Sequence, residues 1–263
     1  MVLGGRYDIA SARSEDFLSN TSEFQQNEAF SPTVGIVYTP IEPISLYVSY
    51  SRSFQQEVGT SFDGSIFEPQ RGTQYEIGLK ADVTDQLSAT LALYDLTRSN
   101  LLTEDPNNPG FDIQTGEQNS QGIELSVAGE ILPEWNISAG YAYNDARITE
   151  DNNFDEGNRL NNAPENSFSL WTTYQIPEGE FAGLGFGLGL FYIGERQGDL
   201  ANTFTLPDYL RTDAVIFYER DQFRAAVNVR NLFDIDYFET AQNALRVYPG
   251  EPTAVSASIS WQF

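Results

Sequence analysis

Apolar and polar residues alternate with a period of two along almost the whole chain, and no segment shows a comparable helical repeat. In the last such segment Val255, Ala257, Ile259, Trp261 and Phe263 fall on one side, while Ser256, Ser258, Ser260 and Gln262 fall on the other. Successive side chains of an extended backbone point to opposite faces, so this pattern builds a strand with one apolar and one wet face. The same split sets Tyr75, Ile77 and Leu79 against Gln74, Glu76 and Lys80, and Leu87, Ala89, Leu91 and Leu93 against Ser88, Thr90 and Tyr94. It also sets Trp135, Ile137, Ala139 and Tyr141 against Asn136, Ser138 and Asn144, and Phe223, Ala225, Val227 and Val229 against Arg224, Asn228 and Arg230. The periodicity predicts twelve strands, near residues 2–11, 30–39, 44–53, 71–82, 87–97, 119–129, 135–145, 167–175, 184–194, 209–219, 223–231 and 253–263.

The connections constrain the fold further. Short ones (39–43, 82–86, 130–134, 175–183 and 219–222) alternate strictly with long ones (12–29, 54–70, 98–118, 146–166, 195–208 and 232–252). An antiparallel meander with short turns at one edge and long loops at the other is the pattern of an outer-membrane barrel. A soluble up-and-down barrel or sandwich alternates in the same way, with its apolar face turned inward. Three features favour lipid on the outside. Aromatic residues gather at strand ends (Tyr38, Tyr50, Trp135, Tyr143, Tyr174, Tyr192, Tyr218, Trp261), as interfacial girdles require. The polar face carries Glu76, Lys80, Glu124, Arg224 and Arg230, which suit a wet lumen. Long loops are also too numerous for a compact soluble β domain, where most connections are short. The expected fold is therefore all-β: an antiparallel up-and-down transmembrane β-barrel portion of about twelve strands, with short periplasmic turns and long external loops. This reading requires Leu91, Val227, Val255 and Ile259 to face outward rather than meet in a dry interior.

Composition removes several function classes. The chain has 263 residues with 14 Lys+Arg against 38 Asp+Glu, a net charge of −24, and neither Cys nor His. Phosphate backbones demand clustered cations, so nucleic acid is not an expected partner. Zinc, haem and iron–sulfur sites and the Ser–His or Cys–His nucleophile pairs lack their key residues. No enzymatic activity is expected, and no cofactor. The opening Met1-Val2-Leu3-Gly4-Gly5-Arg6-Tyr7 has no basic head followed by an apolar core, so it does not read as a secretory signal. A cytoplasmic protein or a piece of a longer one is expected on that ground.

Several local motifs, in order along the chain, resemble TonB-dependent siderophore receptors, the outer-membrane receptors for ferric siderophores. Gly4-Gly5-Arg6-Tyr7-Asp8 resembles an early strand, and Phe30-Ser31-Pro32 leads to Leu46-Tyr47-Val48-Ser49-Tyr50-Ser51-Arg52-Ser53-Phe54. Pro69-Gln70-Arg71-Gly72 precedes Tyr75-Glu76-Ile77-Gly78-Leu79-Lys80, Gln121-Gly122-Ile123-Glu124 opens the sixth strand, and Asn162-Ala163-Pro164 closes the loop before the eighth. Asn231-Leu232-Phe233-Asp234 with Tyr237, then Tyr248-Pro249-Gly250-Glu251-Pro252, is similar to the end of such receptors, as is the terminal Phe263. The resemblance runs over residues 1–263 and implies the C-terminal part of a receptor barrel, the family's full barrel having about 22 strands around a plug. The plug domain and signal peptide are then expected to be absent from this chain.

By that resemblance the function is ferric siderophore uptake driven by TonB across the cell outer membrane, the iron being carried by the ligand. The implied partners are a ferric siderophore, the TonB complex through the N-terminal region, outer-membrane lipid, and the barrel assembly machinery through Phe263. A passive porin-like or adhesin barrel is the alternative. Six loop residues are candidates for ligand contact: Phe62 and Phe67 before the fourth strand, and Tyr237, Phe238, Arg246 and Tyr248 in or beside the last loop. Recognition of a bulky, partly aromatic chelate favours aromatic side chains with a few polar anchors. Arg224, Asn228 and Arg230 are expected to face the lumen, with ion pairing to carboxylates such as Asp213 as their structural role. The acid-rich 150–158 segment lacks the ligand spacing of an EF-hand and reads as a solvated external loop.

Overall fold

The computed structural model describes residues 1–16 and 21–262. Among the described residues there are sixteen strands: β1 (Val2–Asp16), β2 (Thr21–Ile41), β3 (Ile44–Gln55), β4 (Gln70–Asp82), β5 (Leu87–Glu104), β6 (Asp112–Leu132), β7 (Trp135–Glu150) and β8 (Asn166–Gln175), then β9 (Leu184–Ile193), β10 (Arg196–Gln197), β11 (Thr205–Leu206), β12 (Tyr209–Arg220), β13 (Phe223–Arg230), β14 (Phe238–Asn243), β15 (Arg246–Pro249) and β16 (Ala254–Trp261). Twelve of them form one antiparallel sheet in the order β1-β2-β3-β4-β5-β6-β7-β8-β9-β12-β13-β16. These are the twelve strands that the alternation predicts. β10 pairs with β11 and β14 with β15, giving two small hairpins inside what the sequence reads as plain loops. Among the described residues the sheet is open, with β1 and β16 at its two edges. Phe263, to which the assembly signal is assigned, lies outside the described residues, as does the 17–20 part of the first long loop.

Several strands run well past their expected ends. The β1–β2 ladder continues to Asp16↔Thr21, β5–β6 to Glu104↔Asp112, and β7 to Glu150. Backbone pairing needs no apolar face, so polar stretches such as Gln25-Gln26-Asn27 extend the ladder beyond the region where alternation is visible.

The register keeps one chemistry on each face from strand to strand. Leu46, Leu79, Leu91, Leu125 and Ala139 lie on one face, and Ser45, Lys80, Thr90, Ser126 and Gly140 on the other. At the far edge, Ile216, Val227 and Ala257 continue the first face, and Val215, Asn228 and Ser256 the second. The four diagnostic apolar residues are open: Leu91 is 42% exposed, Val227 41%, Val255 67% and Ile259 78%. An uncovered apolar face spanning twelve strands far exceeds the patches that water-soluble monomers show. The apolar face is outward.

The polar face is less uniform than its sequence suggests. Trp171, Phe191 and Phe217 stand on it, next to the glycines of Leu184-Gly185-Phe186-Gly187-Leu188-Gly189. A Cβ on Gly189 would come to 2.6 Å from the Trp171 ring and 2.8 Å from that of Phe191. The bare backbone thus serves as a floor for a cross-strand ring, which recovers packing that glycine alone would forfeit. Among the described residues no helix is long and apolar enough to cross a membrane, which says nothing of crossing by strands.

Candidate ligand-capture site

At the long-loop end, the segment 56–69 folds back onto β2. Gln25, almost fully buried, holds it: its Nε2 donates to the carbonyls of Glu57 (2.8 Å) and Phe67 (2.9 Å), and its Oε1 accepts from the Gly59 amide (3.3 Å). Gly59 sits at φ +130°, a region closed to most L-residues, with the Phe67 ring pressed against it. The loop tip is organised by Asp63, whose Oδ1 accepts from the Ser61 hydroxyl (2.7 Å) and the Ser65 amide (3.0 Å). Those bonds, the Ser61 one foremost, bring the Asp63 carboxyl down to about 2. The tip carries Phe62, 58% exposed, whose ring meets Phe111 of the next long loop edge-on at 5.1 Å and 81°.

Phe111 is held in turn by the turn that Asp105 organises. Asp105 accepts from the amides of Asn107 (2.8 Å) and Asn108 (3.2 Å) and from Asn108 Nδ2 (2.8 Å), and its pKa is lowered chiefly by that Asn108 side chain. Gln114 joins the two loops, exchanging two 2.6 Å hydrogen bonds with the backbone of Glu68. Beside them opens a cavity of about 450 Å³ whose lining includes Glu57, Arg98, Glu104, Asp112, Asp151 and Phe154.

A second block forms where the last three long loops meet. Arg196 is buried, and its Nη2 donates to the carbonyls of Phe238 (2.7 Å) and Glu239 (3.0 Å) while its guanidinium lies 5.6 Å from the Tyr209 ring centre. Burial lowers its pKa. Tyr209 packs on Tyr237 at 4.4 Å, and the Tyr237 ring in turn covers Gly250. Asn231 is fully buried and ties both ends of the last loop. Its Nδ2 donates to the carbonyls of Ile235 and Glu251 (both 3.0 Å), its Oδ1 accepts from the Ile235 amide, and its own amide donates to Asp213. On this frame the β14–β15 hairpin exposes Phe238, Tyr248 and Arg246.

The six candidate loop residues therefore divide. Phe62, Phe238, Arg246 and Tyr248 are exposed, whereas Phe67 and Tyr237 are buried and hold loops in place. By position, Phe62 and Phe67 fall in one loop and Tyr237, Phe238, Arg246 and Tyr248 in another, at separate places along the sheet, and among the described residues no hydrogen bond, ion pair or ring contact joins the two sets. Phe111 belongs with Phe62 and was not among the candidates. Its signal was present in the sequence as a lone aromatic residue between Gly110 and Asp112 in a long polar loop.

On the polar face, Arg224, Asn228 and Arg230 project together from β13, paired in register with Ser260, Ser256 and Ala254. The ion pairs differ from the expected ones. Arg224 pairs with Glu219 (3.1 Å) and Arg230 with Glu251 (2.7 Å). Asp213 is taken by Arg211, which forks onto both its oxygens at 3.1 and 3.2 Å while lying over Phe191 at 4.8 Å. Arg211 is a neighbour on the same face of the same strand, which makes it the nearer partner.

The sequence matches the family model described as TonB dependent receptor-like, beta-barrel, over residues 1–232. The chain belongs to the TonB-dependent receptor β-barrel family. It is 37% identical over 271 residues to the metal-pseudopaline receptor CntO of Pseudomonas aeruginosa, covering all of this chain and 38% of that protein. It is 32% identical to the ferrichrome outer membrane transporter/phage receptor of Escherichia coli, covering 100% of this chain and 36% of the relative. The ferrioxamine B receptor of Salmonella typhimurium is 31% identical, with 100% and 38% covered. The crystal structure of the siderophore receptor PiuA from Acinetobacter baumannii superposes with a TM-score of 0.85 at 27% identity, over 98% of this chain and 40% of that one. The unliganded ferric citrate transporter FecA shares the fold, with a TM-score of 0.83 at 21% identity over 99% of this chain and 42% of that one. This receptor barrel thus spans well under half the length of the relatives it matches. The family is one of transporters rather than enzymes, and it resides in the outer membrane of Gram-negative bacteria. In that setting the apolar face is the one suited to lipid, and the polar face the one suited to a wet lumen.

Proposed function

We propose that the receptor barrel is the C-terminal part of a TonB-driven importer of ferric siderophores or closely related metal chelates. In this reading the plug and the contact with TonB belong to the part of the relatives' length that this chain does not span, and the metal arrives bound to the chelate, as cargo. The observation that supports it best is similarity along the whole chain to receptors whose names specify three different chelates: metal-pseudopaline, ferrichrome and ferrioxamine B. The loop architecture is consistent with this. Exposed rings form two clusters, Phe62 with Phe111 and Phe238 with Tyr248, the second having Arg246 on the same hairpin as a polar anchor, each on a frame already fixed by buried amides. Phe67 serves the first cluster and Tyr237 the second, each by positioning its loop.

The test is uptake. The full-length receptor carrying this barrel is expressed in a Gram-negative strain stripped of its own siderophore receptors, and radioactive iron is supplied on hydroxamate, catecholate and carboxylate chelates. Accumulation of at least one chelate that stops when TonB is deleted is the expected result. Entry that continues without TonB, with steady ion conductance in planar bilayers, would replace this reading by a passive pore.

A further inference from the structure

The chain sets 14 basic side chains against 38 acidic ones, so a carboxylate is the partner most readily supplied to a cation. Arg6, Arg13, Arg147, Arg159, Arg211, Arg224 and Arg230 all form ion pairs. Of the others, Arg98 bonds to Gln70, Arg196 to backbone carbonyls and Arg246 to Gln242, while Lys80 lies 6.0 Å from the Tyr47 ring centre. Arg52, Arg71 and Arg220 remain, with neither an ion pair nor a side-chain hydrogen bond among the described residues. Arg220 stands alone at the short-turn end of β12. Arg52 and Arg71 are neighbours.

The register fixes their relation. Arg52 on β3 lies opposite Thr73, and Arg71 on β4 lies opposite Phe54, so the two share one face of adjacent strands and sit one diagonal step apart. Such diagonal neighbours are about 7–8 Å apart, within joint reach of one phosphate group for side chains this long. The face is the lipid-facing one. Below Arg52 comes Tyr50 and below Arg71 come Thr73 and then Tyr75, the two tyrosines being paired in register with rings 5.2 Å apart and followed by Val48 and Ile77. The arginines are thus on the long-loop side of an aromatic pair, at the level where a leaflet's headgroups lie. The next strand offers no counter-charge, since Ser99 is opposite Arg71 and Thr97 is opposite Thr73. The carboxylate further down that face, Asp95, accepts from Asn119 at 3.0 Å.

Two unpaired guanidinium groups side by side repel one another, and an acidic chain could have neutralised them easily. We propose that Arg52 and Arg71 form a binding site for the phosphate of a lipid headgroup in the leaflet on the long-loop side. The guanidinium fork accepts two oxygens of one phosphate, and two forks on adjacent strands enclose it while the acyl chains run down the apolar face past Tyr50 and Val48. The site rests on the outer-membrane placement of the barrel and is independent of which chelate it imports.

The full-length receptor, purified in detergent, is compared with the Arg52→Ala/Arg71→Ala and Arg52→Lys/Arg71→Lys pairs and with Arg220→Ala. Native mass spectrometry reads retention of a phosphorylated glycolipid, its dephosphorylated form, and the phosphorylated form in competition with inorganic phosphate. The expected result is selective retention of the phosphorylated lipid, about tenfold weaker in the alanine pair, partly kept by the lysine pair and unchanged by Arg220→Ala. Heat-modifiable gel migration confirms that each variant is a folded barrel, and chelate uptake stays unchanged in all of them. Equal retention by the alanine pair, or equal binding of the dephosphorylated lipid, overturns the site. Displacement by inorganic phosphate at the lipid's own concentration overturns the lipid as its occupant.

Discussion

Asn162 and Ala241, 79 residues apart in sequence, are joined by two hydrogen bonds that copy one step of a β ladder: Asn162 Nδ2 donates to the Ala241 carbonyl at 2.7 Å, and the Ala241 amide donates to Asn162 Oδ1 at 2.8 Å. Asn162 holds φ at +58°, a left-handed conformation that asparagine tolerates better than most residues. Its amide locks the β14–β15 hairpin to the loop between β7 and β8. Asn162→Ala leaves the buried Ala241 amide and carbonyl without partners, at a cost of about 1–3 kcal/mol each where water cannot replace them. Hydrogen exchange on the full-length receptor should show faster exchange across 238–249 while the β4–β7 amides stay protected. Unchanged exchange in the hairpin would show that the lock carries no weight.

The glycine floor of β9 gives a second, more local prediction. Gly189→Ala drives a methyl group into the Trp171 ring, and overpacking of this kind costs about 1–3 kcal/mol. Trp171→Leu should relieve part of that cost, so the double variant should unfold at a higher temperature than the sum of the single effects implies. Strict additivity in that cycle would mean that ring and glycine do not share the space.

Orientation can be tested at adjacent positions. Leu125 lies on the lipid-facing side of β6 and Ser126 on the lumenal side. An arginine near the middle of the lipid face of a barrel costs about 2–4 kcal/mol. Leu125→Arg should therefore depress folded yield and the unfolding midpoint, while Ser126→Arg, entering a wet lumen beside Glu124, should be tolerated. Comparable losses at the two sites would contradict the assignment of the faces.

These faces were legible in the sequence because a period of two leaves no choice: once Leu91 and Val227 are outward, every second neighbour follows. Strand length was not, because the ladder continues through Gln25-Gln26-Asn27 with no apolar face to mark it. Nor was the role of loop rings. Phe62 and Phe67 lie five residues apart in one loop, yet Gln25 draws the Phe67 backbone down onto β2 and leaves Phe62 at the tip. Gln25, Asn162, Asn231 and Arg196 were invisible as organisers because each acts on backbone atoms of another segment, which no local pattern encodes. The Arg211–Asp213 pair was readable in principle from their two-residue spacing on one strand face.

Acid should act on the loop tip in a defined direction. The Asp63 carboxyl is depressed from an ordinary 3.8 to about 2, so its stabilisation of the Ser61–Ser65 turn is complete above 3.8 and is lost as pH falls through about 2. Carbon-13 titration of selectively labelled aspartate in the intact receptor should give that low midpoint. Ser61→Ala, which removes the leading hydrogen bond, should move it up. A midpoint at 3.8 in the unsubstituted protein would mean the turn does not form as described.

Loop rings that touch ligand and loop rings that hold structure should separate in one experiment. Phe62 is exposed against Phe111, so Phe62→Ala removes apolar surface from the ligand side and leaves the Gln25 anchor intact. Loss of one aromatic contact is worth about 0.5–1.5 kcal/mol, which raises the half-saturating chelate concentration about two- to tenfold. Hydrogen exchange across 56–69 should stay as in the parent. Phe67→Ala acts on the same loop from below, emptying the space under Gly59, and should increase exchange in that segment as well as weakening binding. Proposed roles for Phe62 and Phe67 in a common site require both outcomes. If Phe62→Ala leaves chelate affinity unchanged while Phe67→Ala still loosens the loop, capture falls to the exposed Phe238, Arg246 and Tyr248 of the other block.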